Sequence, residues 1–293
     1  MDKVVVIGGS GFMGSHTADE LTSRGYDVTI FDLTKSPWLK DDQKMIEGDM
    51  LDFNSLSHAL KDVKYLYHFG GIADIGKAKN KPLETINQNV IGAAIAMEAA
   101  YKAGVERLIY ASTMYVYSPY GSFYRASKQS AETIIEAYSE EHNLDYTFLR
   151  YGSLYGPRAQ KWNGLKKYVD QIIRNGELNY KGTGMERREY IHVQDAARLS
   201  VDVLHDDHIN QAITVTGNQV LNSNELMDMI FEICGVEKKV IINDEEKSND
   251  HYVMTPYRFT PKAAKKLVPD NFIDIGQGIL EVAQEIYDEI EDK

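Results

Sequence analysis

Apolar residues fall into two patterns along the first half of this chain. Short runs rich in Val, Ile, Leu and aromatics alternate with longer stretches in which apolar positions recur every three or four residues. The first pattern reads as buried strand and the second as helix. Strands are expected at Lys3–Gly8, Asp27–Phe31, Lys44–Gly48, Tyr65–Phe69, Arg107–Ala111 and Tyr146–Arg150. Helices are expected at about Phe12–Arg24, Asn54–Leu60, Pro82–Lys102 and Tyr124–Glu141. This repeated β-α-β order predicts an α/β fold, a Rossmann-type doubly wound parallel sheet with right-handed crossovers.

After Arg150 the regularity loosens, and Gly152, Gly156 and Pro157 mark a loop. Helical patterns return at about Leu165–Asn175, Val193–His205, Asn224–Cys234, Pro261–Leu267 and Gln277–Glu291, with short β runs at Leu178–Lys181, Ala212–Thr216 and Lys239–Ile242. The expected division is a dinucleotide-binding domain over 1–150 and a smaller C-terminal α/β substrate cap over 151–293. The boundary is soft, because later segments are free to rejoin the main sheet. No internal repeat or low-complexity segment is visible.

Composition narrows the function classes. A chain of 293 residues with 43% hydrophobic residues can bury a sizeable core. Its net charge of −12 argues against nucleic-acid binding. Val90–Ala100, the longest weakly polar stretch, is too short to span a bilayer, so no membrane partner is expected. The start, MDKVVVIGG, runs straight into a strand pattern without the regions of a signal peptide. The single cysteine, Cys234, reads as a core thiol and suits a reducing cytoplasm. No spacing of His, Cys and Asp resembles a metal site, and none is expected.

The strongest chemical signal is VVVIGGSGFMGSH, which sets Gly8, Gly11 and Gly14 between a strand and a helix. The first glycine permits a tight turn, the second lets the backbone approach a pyrophosphate, and the third lets helix and strand pack closely. The helix N-terminus then offers N–H groups and positive potential to phosphates. Asp32 closes the second strand, where an acid binds the adenosine ribose and repels a 2′-phosphate. The expected cofactor is therefore NAD.

Beyond this fingerprint, seven segments in order resemble motifs of the extended short-chain dehydrogenase/reductases, in their nucleotide-sugar epimerase/dehydratase branch. They are Gly48-Asp49-Met50-Leu51-Asp52, Tyr67-His68-Phe69-Gly70-Gly71, Asn89-Val90-Ile91-Gly92, Ala111-Ser112-Thr113-Met114-Tyr115-Val116-Tyr117, Tyr124-Arg125-Ala126-Ser127-Lys128, RYGSLYGPR from Arg150 to Arg158, and GTGMERREYIHVQD from Gly182 to Asp195. The resemblance covers the chain to about residue 200 and is poor after about residue 220. It departs at Ser153, where the family has Asn, and in lacking the cap's Arg-x-Gly-Asp segment.

The resemblance implies cofactor contacts at Gly8, Gly11, Phe12, Met13 and Gly14 in the first turn, with Asp32, Asp49 and Met50 toward the adenosine. It adds Phe69, Gly70, Gly71, Asn89, Ser112 and Tyr151 along the cofactor, and Tyr124 and Lys128 at its reactive end. It makes Thr113, Tyr124 and Lys128 catalytic. Thr113, Ser153, Arg158, Arg188 and Arg258 become candidate contacts for a nucleotide sugar, the arginines offsetting its diphosphate. It also implies a homodimer, formed where helices 82–102 and 124–141 pair across a two-fold axis. Ile86, Val90, Ala94, Met97, Ile134 and Tyr138 are the apolar positions named for that face.

Nineteen tyrosines make one Tyr-x-x-x-Lys spacing expected by chance, so its placement matters more than its presence. Tyr124 opens a helix after a strand, at the edge of a parallel sheet where ligands bind. Positions i and i+4 share a helix face, so the Lys128 ammonium can favour the Tyr124 phenolate. Such a group can take a proton from a sugar hydroxyl while hydride leaves the same carbon. The leading reading is oxidoreductive epimerisation, at C4. A net C4 dehydrogenase or keto-sugar reductase uses the same residues and stays open. A 4,6-dehydratase is disfavoured because Met114 and Tyr115 follow Thr113 where that branch has Asp-Glu. A silent dinucleotide sensor is disfavoured because Thr113, Tyr124 and Lys128 are all present.

Overall fold

The computed structural model describes residues 1–242, 251, 253–256 and 264–291. The first half alternates strand and helix: β1 (Lys3–Ile7), α1 (Phe12–Ser23), β2 (Asp27–Asp32), β3 (Lys44–Glu47), α2 (Phe53–Ala59) and β4 (Tyr65–His68). Two short helices follow, α3 (Ile75–Asn80) and α4 (Pro82–Ile86). One π-helical turn, Asn87–Ile91, then joins α4 to α5 (Gly92–Ala103). Next come β5 (Arg107–Thr113), α6 (Ser122–His142) and β6 (Asp145–Tyr151). The second half holds β7 (Ser153–Tyr155), α7 (Gly164–Asn175), β8 (Leu178–Tyr180), β9 (Arg187–His192), α8 (Val193–Asp202), β10 (Gln211–Val215), β11 (Val220–Asn222) and α9 (Ser223–Ile233). It ends with β12 (Val240–Ile242), β13 (Ala264–Lys266) and α10 (Ile275–Glu291).

Eight strands form one parallel sheet in the order β13-β10-β6-β5-β4-β1-β2-β3. Its central strands are covered on both faces, which is why β1 and β5 read as nearly continuous apolar runs. One face is closed by α1 and α8, through Ala18, Leu21, Ala196, Ala197 and Leu199. The other is closed by α2, α5 and α6, through Leu56, Ala59, Ala93, Ala96, Met97, Ala131 and Ile135. The order reverses beside β1, and the crevice outside the carboxyl ends of β1 and β4 is where such a sheet binds ligands.

A separate core joins Leu165, Val169 and Ile172 of α7 with Leu226 and Ile230 of α9 and Ile279, Val282 and Ile286 of α10. It supports the small sheet β11-β9-β7 and the pair β12-β8. The chain leaves the main sheet after β6 and returns to it. Ala212–Thr216, expected in the cap, is β10 beside β6. The helix expected over Pro261–Leu267 is corrected in its described part. Ala264–Lys266 is a parallel edge strand on β10, because pairing along an open sheet edge overrides the helix preference of Ala and Lys.

Candidate active site

β1 delivers the chain to Gly8, which turns with φ +78° and donates its N–H to Phe31 O at 2.9 Å. A Cβ at Gly8 would stand 2.7 Å from the Gly70 nitrogen, and one at Gly14 would overlap the Gly8 carbonyl. Side chains are thus excluded where turn, helix and the loop after β4 converge. Gly11 is the N-cap of α1 and offers no side chain to the helix amides, which leaves that end open to an anion. Asp32 sits over the same turn, its carboxylate accepting from Ser10 N at 3.0 Å and Thr34 N at 3.3 Å. Phe12 and Met13 are buried behind the turn. Asp49 accepts from Leu51 N at 2.9 Å. Met50 is wedged so tightly that a Cβ at Gly70 would stand 2.6 Å from its sulfur. A cradle of glycines, an open helix end and a carboxylate over the turn fit a dinucleotide without a 2′-phosphate.

The loop after β4 is tied to the helix that follows. Gly71 adopts φ +128° against Asn89, whose carboxamide oxygen would collide with any Cβ there. The Asn89 side chain accepts from Ile72 N at 2.7 Å and donates to Ile72 O at 3.0 Å and to Ser127 Oγ at 2.9 Å. Ser127 Oγ donates in turn to Tyr124 O at 2.8 Å. Asn89 lies in the π-helical turn, an irregularity frequent at functional sites. One buried amide thus links the Phe69–Gly71 loop to the backbone of Tyr124.

Thr113 ends β5, and its Oγ1 accepts from Tyr115 N at 3.2 Å. α6 begins after Gly121, and half-buried Tyr124 lies in its first turn. Lys128 follows one turn on, 5% exposed, its Nζ donating to Ala111 O at 2.7 Å and lying 4.6 Å above the Tyr110 ring. Burial pushes Lys128 down to about 8, and the Glu132 carboxylate opposes that fall. His68 is buried at the end of β4, edge-on to Tyr110 at 5.5 Å. Burial, and then the Lys128 charge, push it down to about 3, so it is neutral.

Sequence reading missed the network beneath these residues. Glu132 accepts from Ser112 Oγ at 2.5 Å, Arg150 Nε at 3.0 Å and Arg150 Nη2 at 2.7 Å. Arg150 also donates to the Tyr117 hydroxyl. Both charged groups are buried, so each needs the other. Thr113 is therefore held between anchored neighbours, Ser112 on one side and the turn through Tyr117 on the other. The signal was available: Glu132 stands four residues after Lys128 on a helix.

Three of the expected contact residues have side-chain partners within the protein. The Ser112 hydroxyl is engaged by Glu132. The Tyr151 hydroxyl is 2.6 Å from Ser200 Oγ under the sheet, so its phenol serves the core. Arg158 donates to Asp19 at 3.0 Å and stacks 4.8 Å over the Trp38 ring, because a carboxylate and an aromatic face beside α1 capture the guanidinium. In the cap, half-buried Ser153 lies on β7 opposite Tyr190, and half-buried Arg188 lies on β9 opposite Leu221. Arg258 falls outside the described residues. Among the described residues, no group of three or more His, Cys, Asp or Glu is placed to hold a metal ion, and no helix is long and apolar enough to cross a membrane.

A mouse dTDP-D-glucose 4,6-dehydratase is 27% identical over 262 residues, covering 78% of this chain and 73% of its own. A UDP-N-acetyl-alpha-D-glucosaminuronate decarboxylase of Bacillus cytotoxicus is 27% identical over 277 residues, covering 85% of each. The fold is shared with a UDP-glucose 4-epimerase of Thermotoga maritima solved with UDP-glucose, at a TM-score of 0.84 and 23% identity over 99% of both chains. The model of the NAD dependent epimerase/dehydratase family matches residues 4–215, the span that holds the glycine cradle, Thr113, Tyr124 and Lys128. The chain belongs to the NAD dependent epimerase/dehydratase family.

Proposed function

We propose that this enzyme epimerises a nucleotide sugar at C4 through a keto-sugar intermediate. The observation that carries the reading is the Lys128 ammonium, buried one helical turn from Tyr124 and bonded to Ala111 O on β5, the strand that ends at Thr113. A cation so placed favours the phenolate over the phenol. Tyr124 then takes the proton of the C4 hydroxyl, and the Thr113 hydroxyl holds that oxygen in place. NAD, when bound, supplies the hydride acceptor and returns the hydride afterwards. Once the keto sugar presents its other face, Tyr124 gives the proton back. Cofactor contacts at Gly8, Gly11, Phe12, Met13, Gly14, Asp32, Asp49, Met50, Phe69, Gly70, Gly71 and Asn89 belong to the same proposal. So do substrate contacts at Ser153 and, for the diphosphate, Arg188.

The nucleotide-sugar class is supported by the names of the relatives. They act in different ways, and Met114 and Tyr115 after Thr113 favour epimerisation over dehydration, since neither carries a carboxylate for water elimination. The first 150 residues, completed by α8, β10 and β13, serve the dinucleotide, and the remainder serves the sugar nucleotide. We place the enzyme in the cytoplasm as a homodimer.

Product analysis with C4-deuterated UDP-, GDP- and dTDP-sugars tests the reading. It predicts a C4 epimer that keeps its label, with no accumulation of NADH. Stoichiometric NADH would replace it with an open-cycle dehydrogenase, and a 4-keto-6-deoxy product would replace it with a dehydratase.

A further inference from the structure

Tyr115 stands between Thr113 and Tyr124. Its N–H donates to Thr113 Oγ1, and its ring meets the Tyr124 ring edge-on at 6.0 Å. The ring occupies space that only a glycine leaves, since a Cβ on Gly121 would stand 2.6 Å from Tyr115 Cδ1. The ring is buried, but its hydroxyl reaches the cap, 2.7 Å from Nδ1 of exposed His251.

The segment that carries His251 is itself strapped to β9. Arg187 N donates to Val253 O at 2.7 Å, and Thr255 N returns to Arg187 O at 3.1 Å. Thr255 Oγ1 accepts from Glu189 N at 3.1 Å. These bonds bracket Arg188, the residue proposed for the diphosphate. One short stretch of cap therefore touches the neighbours of Arg188 at one end and the catalytic turn at the other. A nucleotide sugar has that same polarity, diphosphate at one end and sugar at the other.

We propose that Tyr115 and His251 form a polar wall of the sugar subsite and that their hydrogen bond latches the cap onto the Thr113–Tyr124 platform. A phenol and an imidazole each donate and accept, which suits a ligand rich in hydroxyls. The latch sets the distance between the diphosphate site on β9 and the reacting carbon. It rests on the nucleotide-sugar reading above and adds to it a specificity-determining pair that selects for the sugar.

The test is a double-mutant cycle of Tyr115→Phe, His251→Ala and both together. Tyr115→Phe keeps the ring and its packing, so it isolates the hydroxyl. Each single variant is expected to raise KM for the nucleotide sugar about tenfold while NAD affinity and thermal midpoint stay unchanged. The double variant should be no worse than the worse single, because both lose one shared bond. Normal KM in an active single variant overturns the latch, as do additive losses or a parallel fall in NAD affinity. A wild-type enzyme without C4 chemistry on any nucleotide sugar would instead overturn the functional reading, and the sugar wall with it.

Discussion

Lys128 shows how much of this site depends on a single buried charge. Its ammonium is set among the Tyr110 ring, neutral His68 and the carboxylate of Glu132, with Arg150 and Tyr117 behind that carboxylate. Burial lowers its pKa to about 8, and the Glu132 carboxylate opposes that fall. The charge is present below that value and is lost as pH rises through it, so turnover should fall along an alkaline limb near about 8. Glu132→Gln removes the opposing carboxylate and should move this limb to lower pH by about one unit. Glu132→Asp keeps a charge and should leave the limb in place at reduced turnover. A pH profile of kcat for the three proteins reads the effect, and a Glu132→Gln limb coincident with wild type would reduce Glu132 to a structural anchor. Breaking the buried Glu132–Arg150 pair costs about 3–5 kcal/mol, so a lower thermal midpoint accompanies either role and does not separate them. Lys128 was legible from its motif. The helical spacing also put Glu132 on the Lys128 face, but it did not show the burial against Arg150, which is made by a separate strand.

Among the elements, those with strong periodicity or long apolar runs were legible, and those made by tertiary pairing were not. The strands β1, β2 and β4 and the helices α1 and α6 follow their patterns closely. β7 spans only Ser153–Tyr155 and exists because β9 lies beside it. The π-helical turn at Asn87–Ile91 leaves no trace in a pattern that reads as continuous helix over 82–102. The proposed dimer face changes at the same scale. Met97 is wholly buried against the sheet and is not available to a partner. Leu83 is 81% exposed, Ile91 46%, Ile86 41% and Phe123 40%, an apolar set on α4, the π-helical turn and the start of α6 that a second copy would cover. Light scattering at micromolar concentration should therefore give twice the 33.2 kDa chain mass, and Leu83→Glu should shift it to one. A wild-type monomer under those conditions would remove the dimer.

In the whole molecule, residues far apart in sequence meet at the carboxyl edge of one sheet. β1 brings the glycine turn, β2 brings Asp32, β4 brings the Phe69–Gly71 loop, and β5 with α6 brings Thr113, Tyr124 and Lys128. That edge was foreseeable, since each contribution follows an apolar run that reads as a strand. The cap was less so: its sheets are built from strands of three to six residues, and the described His251 meets the turn after β5 through Tyr115. The central claim is that all of this positions one phenol to move one proton. Tyr124→Phe deletes a single oxygen and leaves the ring against Tyr115. Turnover of the nucleotide sugar by this variant, measured beside its NAD affinity, tests the claim most directly. The account predicts intact NAD binding with turnover lowered about 10²–10⁴-fold, and near-normal turnover would contradict it.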